Sequence, residues 1–281
     1  SLMQIIDNIQ AMQEIGNNWS AGKKIGFVPT MGYFHQGHLS LVAEANKQCE
    51  ITVVSIFVNP SQFGPNEDFD SYPRDMQRDL ELLSNYKVDY VFSPSSEQMY
   101  PQDYRTWVEV EGISSILCGA SRPGHFRGVA TVILKLINIL KPNLMFMGEK
   151  DFQQVTVLKK MLKDLNCITQ IVPCHIIRED DGLAMSSRNI YLNPEQRKQA
   201  LCLFKAIQQA QTQYKQGIRE TIFLQKEAAD LVKKFGGIVD YISFVEPNTL
   251  QEVAIADDNT RIMLAVFIGK TRLIDNAPLK G

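Results

Sequence analysis

Apolar residues fall in short blocks separated by polar, turn-forming stretches over the first two thirds of the chain. Residues 25–29, 51–58, 88–92, 144–147 and 168–177 are blocks of strand length. The second, Ile-Thr-Val-Val-Ser-Ile-Phe-Val, is almost continuously apolar and β-branched, as in a strand covered on both faces. Between these blocks, residues 39–48, 75–84, 128–140 and 153–165 carry helical patterns. Strand and helix in alternation predict βαβ units with right-handed crossovers. The expected result is an α/β fold with a doubly wound parallel sheet over residues 1–177, with ligands at the carboxyl ends of its strands.

The pattern changes near Arg178. Asn193-Pro194-Glu195 predicts a capped helix running to about Gly217, and a second helix spans 221–235, closed by Gly236-Gly237. Two strands follow, at 239–245 and 261–269. Residues 178–281 are therefore expected to form a smaller C-terminal α+β domain. It is joined to the first through 178–188 and closes over the site. No internal repeat or low-complexity tract appears.

With 281 residues, 44% hydrophobic and 21% charged, the composition is that of an ordinary globular protein. A net charge of −2 offers no global attraction to nucleic acid or an anionic membrane. No apolar run approaches the roughly 20 residues needed to span a bilayer, and no secretory or transit signal is evident. Cys49, Cys118, Cys167, Cys174 and Cys202 are scattered and form no Cys-x-x-Cys pair, which predicts reduced thiols in a cytoplasmic protein. Met145, Phe146, Met147 and the aliphatic residues of 129–140 are expected in the core, and His175 packed within an apolar strand.

The most informative segment is Met31-Gly32-Tyr33-Phe34-His35-Gln36-Gly37-His38, between a strand and a helix N-terminus. Such a place collects unpaired N–H groups and the positive end of the helix dipole, so it favours anions. His35 and His38 add donors. A zinc site would need further ligands, and only His125 and His175 remain, with no clustered cysteine.

Four other segments carry candidate chemistry. In Asn59-Pro60-Ser61-Gln62, turn chemistry accounts for Asn59 but poorly for Gln62, whose amide suits a small polar ligand. In Gly148-Glu149-Lys150-Asp151-Phe152-Gln153-Gln154, Lys150 supplies a mobile charge, Asp151 suits a ligand or a helix cap, and Gln154 lies one turn on. Met185-Ser186-Ser187-Arg188-Asn189, led by Gly182, offers two hydroxyls and a guanidinium to a phosphate tail, or serves as a polar helix entry. Arg122, His125 and Arg127 precede an apolar helix, where an anion could dock or the charges simply face solvent. Residues 62–74 are rich in turn formers and acids, which predicts a mobile loop able to exclude water.

His-x-Gly-His resembles the HIGH signature of nucleotidyltransferases and class I tRNA synthetases. Ser186-Ser187-Arg188 resembles the second signature of that superfamily. Taken together with 57–74, 122–154 and Arg272-Leu273-Ile274-Asp275-Asn276, the chain resembles the pantoate–β-alanine ligase family nearly end to end. The resemblance implies a Rossmann-like domain and an AMP-forming ligase. In its reaction pantoate and ATP give pantoyl adenylate and pyrophosphate, and β-alanine then gives pantothenate and AMP. It implies ATP with Mg²⁺ bridging the phosphates, and a homodimer. Carried over by position, His35 and His38 stabilise charge at the α-phosphorus, and Lys150, Ser186, Ser187 and Arg188 bind phosphates. Gly148, Asp151, Ile177 and Met185 frame adenosine. Gln62, Gln154 and Asn59 bind pantoate, and Met31, Val132 and Ile133 form the wall for its methyls. Met31 also belongs to the ATP-binding set. Tyr33-Phe34 and Gln36 stand where many relatives carry Ala-Leu and an acidic residue.

The rival enzyme reading is a related HIGH-motif nucleotidyltransferase or acid-activating ligase with another substrate. A class I tRNA synthetase is disfavoured by the short chain and the lack of a basic face. An ATP-binding regulatory module with a dead site is disfavoured by intact His35, His38, Lys150 and Arg188.

Overall fold

The chain, seen in a computed structural model that describes residues 2–281, divides into two units. Residues up to Glu149, with Gln154–His175, form the first; Lys150–Gln153 with Ile176–Gly281 form the second.

The first unit runs β1 (Gln4–Ile6), α1 (Ile9–Asn17), β2 (Ile25–Thr30), α2 (Gln36–Gln48), β3 (Ile51–Ile56), α3 (Met76–Leu83), β4 (Tyr90–Phe92), α4 (Ser96–Met99), α5 (Cys118–Ser121), α6 (His125–Leu140), β5 (Leu144–Gly148), α7 (Phe152–Asp164, from Gln154 on) and β6 (Gln170–Cys174). The strands pair in parallel in the order β1-β4-β3-β2-β5-β6. This is the Rossmann-like doubly wound sheet expected from the alternation. The order reverses between β2 and β5, so the carboxyl ends of those two strands flank the switch point, where such sheets open a crevice.

Burial on both faces explains the unbroken apolar strands. Phe27, Val53 and Met145 face a core shared with α1, α6 and α7, while Val28, Val54 and Phe146 face a second core under α2 and α3. Adjacent residues thus belong to opposite layers. The core expectation for Met145, Phe146 and Met147 is met.

Several boundaries differ from the sequence reading. β3 stops at Ile56, and the N–H of Phe57 reaches Thr30 as the chain turns away. β6 is shorter than expected, ending at Cys174 opposite the end of β5, and His175 lies beyond it and is exposed, not packed. β1 and α1 were not anticipated. β1 is a three-residue edge strand, Gln-Ile-Ile, too short to stand out as a block.

The second unit contains α8 (Pro194–Gln199), α9 (Cys202–Lys215), α10 (Thr221–Lys234), β7 (Ile238–Val245), β8 (Arg261–Ile268) and β9 (Thr271–Pro278). The expected helix over 193–217 is two helices, with the break at Ala200 and Leu201. A third strand, β9, completes an antiparallel sheet in the order β7-β8-β9. Leu203, Ala206, Ile207 and Ala210 of α9 and Leu224, Ala228 and Val232 of α10 share the core with Ile242, Leu264 and Val266 of the sheet. Their three- and four-residue spacing gives each helix one apolar stripe.

Candidate active site

In the first unit, the loop after β2 is built for its histidines. The Thr30 hydroxyl donates to the Ser55 carbonyl at 2.7 Å and accepts the Gly32 N–H at 3.1 Å. Gly32 and Tyr33 then adopt positive φ, 78° and 53°, which turns the chain sharply. Asp79 of α3 anchors this turn, its two oxygens accepting the N–H groups of Tyr33 at 2.7 Å and Phe34 at 2.8 Å. Burial pushes the Asp79 carboxyl up, against the lowering effect of these two donors. Arg78 adds a bond to the Phe34 carbonyl at 3.0 Å and lies over the Tyr33 ring. Phe34 is buried in the core beneath α2.

His35 then caps α2. Its Nδ1 accepts the Gly37 N–H at 2.9 Å, and His38 Nδ1 accepts the His35 N–H at 3.1 Å, a reciprocal capping box made of two imidazoles. A Cβ on Gly37 would sit 2.5 Å from the His35 ring, so glycine makes room for that ring. Because each Nδ1 accepts, a neutral ring carries its proton on Nε2, and both histidines present the same donor.

Beyond β3, Asn59 is 1% exposed and fully engaged by the protein. Its Oδ1 accepts from the Ser61 N–H and hydroxyl, while its Nδ2 donates to Gln62 Oε1 at 3.0 Å and Gly128 O at 3.2 Å. The Gln62 amide is thereby oriented with Nε2 as its remaining donor group. His125 Nδ1 approaches the Gln62 carbonyl at 2.9 Å. Val132 and Ile133 of α6 are buried core residues. Met31 lies directly after β2, Gly148 ends β5, and Gln154 sits in the first turn of α7, partly buried.

Residues 62–74, the expected loop, make contacts among themselves. Phe63 packs against Phe69 and Tyr72, and Arg74 binds the carbonyls of Phe69 and Tyr72. Glu67 accepts the Gly64 N–H at 2.9 Å and pairs with Arg122 at 2.7 and 3.0 Å. Burial pushes the Glu67 carboxyl up, but Arg122 and the Gly64 N–H outweigh it and hold it at about 2. Arg122, a candidate anion ligand by sequence, is engaged in this pair.

In the second unit, Lys150 and the exposed Asp151 lie on a short 3-10 turn leading into α7. The Met185 N–H donates to the Ile177 carbonyl at 3.0 Å, which pairs those two residues. Ser186 Oγ accepts the Arg188 N–H at 3.2 Å and starts a 3-10 turn over Ser187–Tyr191, with Ser187 buried. The arrangement lays a short hydroxyl- and cation-bearing turn on a β-bridged hairpin between Arg178 and Ala184.

Asp79, Glu67, Asp275 and Asn276 are structural partners of this chemistry to which sequence reasoning gave no role. Asp79 reads as one more acid on an amphipathic helix. Only its burial and its distant partners set it apart.

A family model described as Pantoate-beta-alanine ligase matches residues 4–278. The chain is 51% identical to the pantothenate synthetase of Caldicellulosiruptor bescii, over 98% of each chain, and 50% identical to that of Pseudothermotoga lettingae, over 99% of each. Among solved structures, the pantothenate synthetase of Thermus thermophilus is 38% identical with a TM-score of 0.91, covering 99% of this chain and 100% of that one. The pantoate-beta-alanine ligase of Francisella tularensis, complexed with beta-gamma ATP and beta-alanine, is 38% identical with a TM-score of 0.85, covering 100% of this chain and 99% of that one. Likeness at this level of identity and coverage, over a fold with matching topology, places the chain in the pantoate–β-alanine ligase family.

Proposed function

We propose that this enzyme condenses pantoate with β-alanine at the expense of ATP, through the residues described above. The observation that supports the site assignment is the reciprocal cap of His35 and His38 at the start of α2, beside the switch point of the sheet, where a helix N-terminus favours an anion.

In the first step a pantoate carboxylate oxygen attacks the α-phosphorus of ATP. The new O–P bond forms as the bond to the β-phosphate oxygen breaks, giving pantoyl adenylate and pyrophosphate. His35 and His38 stabilise the charge that builds on the α-phosphoryl oxygens. Lys150, Ser186, Ser187 and Arg188 bind the phosphates. Gly148, Asp151, Ile177 and Met185 frame adenosine, with Asp151 accepting from ribose hydroxyls, and Met31 borders ATP and pantoate. Gln62 and Gln154 hold pantoate while Asn59 orients Gln62, and Val132 and Ile133 back its methyl groups. In the second step the amine of β-alanine attacks the acyl carbon, the acyl–phosphate bond breaks, and pantothenate, AMP and a proton leave. Orientation and charge stabilisation supply the catalysis, with no covalent bond to the protein.

Mg²⁺ enters as the metal salt of the triphosphate, as part of the substrate. Among the described residues no group of three or more His, Cys, Asp or Glu could hold a metal ion. A homodimer and a cytoplasmic location belong to the same proposal. Five cysteines without disulfides support the second, and no helix among the described residues is long and apolar enough to cross a membrane. Sedimentation tests the first.

The deciding experiment measures pyrophosphate release from ATP and Mg²⁺, with and without pantoate and β-alanine. Release that requires pantoate, with AMP and pantothenate appearing only when β-alanine is added, is the expected result. Release with another acid and none with pantoate would overturn the substrate assignment.

A further inference from the structure

Two neighbouring residues of β9, Asp275 and Asn276, are 3% and 1% exposed, although β9 is an edge strand of its sheet. Each fastens a different part of the second unit. Asn276 Nδ2 donates to the main-chain carbonyl of Lys150 at 3.0 Å, across 126 residues of sequence. Its Oδ1 accepts from Arg261 Nε at 2.8 Å, and the Arg261 guanidinium lies 4.2 Å from the centre of the Phe152 ring. The turn carrying Lys150 is therefore held at its carbonyl and again two residues later.

Asp275 takes both terminal nitrogens of Arg178, at 2.7 and 2.9 Å, and accepts the N–H of Asn276 at 2.8 Å. Arg178 in turn donates to the Gly182 carbonyl at 3.0 Å and bridges to Ala184, at the base of the segment that carries Ser186–Arg188. A bidentate pair of this kind fixes direction as well as distance. Adjacent side chains of one strand thus set the main chain beneath Lys150 and the hairpin beneath Arg188. Lysine is a flexible point charge, so its usefulness to a phosphate depends on where its backbone is held.

We infer that Asn276 is a positioning residue for the adenylation step, acting through Lys150, with Asp275 as its counterpart for the Ser186–Arg188 turn. This rests on the assignment of Lys150 to the nucleotide's phosphates. Asn276→Asp is nearly isosteric and keeps an acceptor for Arg261, but it sets a carboxylate oxygen against the Lys150 carbonyl in place of a donor.

The test is a double-mutant cycle in the full chain with Asn276→Asp, Lys150→Ala and both together. Pyrophosphate release is read for kcat and for KM of ATP and pantoate, alongside thermal unfolding. Lys150→Ala keeps the carbonyl, so any structural effect of the Asn276 change survives in the double variant while an effect through the ammonium group disappears. The expected result is a loss of about tenfold in kcat/KM for ATP from Asn276→Asp, with less than about twofold change in KM for pantoate, and no further loss in the Lys150→Ala background. Equal losses in both backgrounds would make Asn276 merely structural and overturn the inference. An unimpaired Lys150→Ala enzyme would overturn it by removing the assignment on which it rests, a result distinguishable from the first. Asn276→Ser, which shortens the donor without adding charge, takes the same cycle if the aspartate variant is too unstable to assay.

Discussion

His38 accepts the backbone N–H of His35 through its Nδ1 at 3.1 Å, so the residue proposed to stabilise charge also closes the first turn of α2. The two roles separate by substitution. Glutamine is a usual partner at the third position of a capping box, so His38→Gln keeps the cap and removes the imidazole. We expect it to unfold near the wild-type temperature but to lose on the order of 10²-fold or more in kcat. His38→Ala should lose similar activity and also about 0.5–1.5 kcal/mol of stability, the net value of the one hydrogen bond it removes. Wild-type turnover in His38→Gln would reduce the histidine to a helix cap.

Asp79 should matter as much to the loop as the histidines do to the ligand. In Asp79→Asn one of the two oxygens facing Tyr33 and Phe34 becomes an NH₂ opposed to an N–H. That leaves donors unpaired in a buried place, at a cost of about 1–3 kcal/mol. Thermal unfolding and kcat/KM for ATP should fall together, because the distorted turn carries His35. Unchanged kinetics in a destabilised protein would show that the loop tolerates a shift in its anchor.

Gly128→Ala tests the seating of Gln62. In an exposed helix interior this change would add up to about 1 kcal/mol. Here the new Cβ would fall 2.2 Å from the Ser61 carbonyl oxygen, against the turn that carries Gln62. The sign should reverse, with a loss of roughly 1–3 kcal/mol and a higher KM for pantoate than for ATP. A stabilised variant with normal kinetics would contradict it.

Glu67 gives a pH signature. Its folded value, about 2, lies below the ordinary carboxyl value of 4.5. A depressed acid contributes its stability above the unfolded value and loses it as pH falls toward the folded value. Wild type should therefore exceed Glu67→Gln by about 1–2 kcal/mol near neutrality, allowing for the solvent that reaches the pair. The gap should narrow steadily from about pH 5 toward pH 2. A gap constant across that range would show that the carboxyl charge contributes nothing through its pair with Arg122.

The central strands of the first unit could be read from the chain because both of their faces are buried. β1 could not, being three residues at an edge with two of them exposed. β9 was hidden for the opposite reason: Asp275 and Asn276 interrupt its apolar pattern, yet both are buried because partners elsewhere satisfy them. The break between α8 and α9 left no mark in composition. Ala200 and Leu201 are good helix formers that keep helical dihedrals at the junction itself. His175 falls outside the strand because β6 ends with its partner β5, a limit set by pairing and not by hydropathy.

Local chemistry alone was enough to settle the alternation of strand and helix, the glycine-bearing histidine loop and the hydroxyl-rich turn at 186–188. Each depends on residues within a few positions of one another, through side-chain periodicity and backbone freedom. The tertiary structure decided which side chains hold those motifs in place. Asp79 reaches Phe34 across 45 residues, Arg122 reaches Glu67 across 55, and Asn276 reaches Lys150 across 126. A hydrogen bond of that kind has no period and no composition. It exists only when packing brings donor and acceptor within about 3 Å and excludes the water that would otherwise satisfy them.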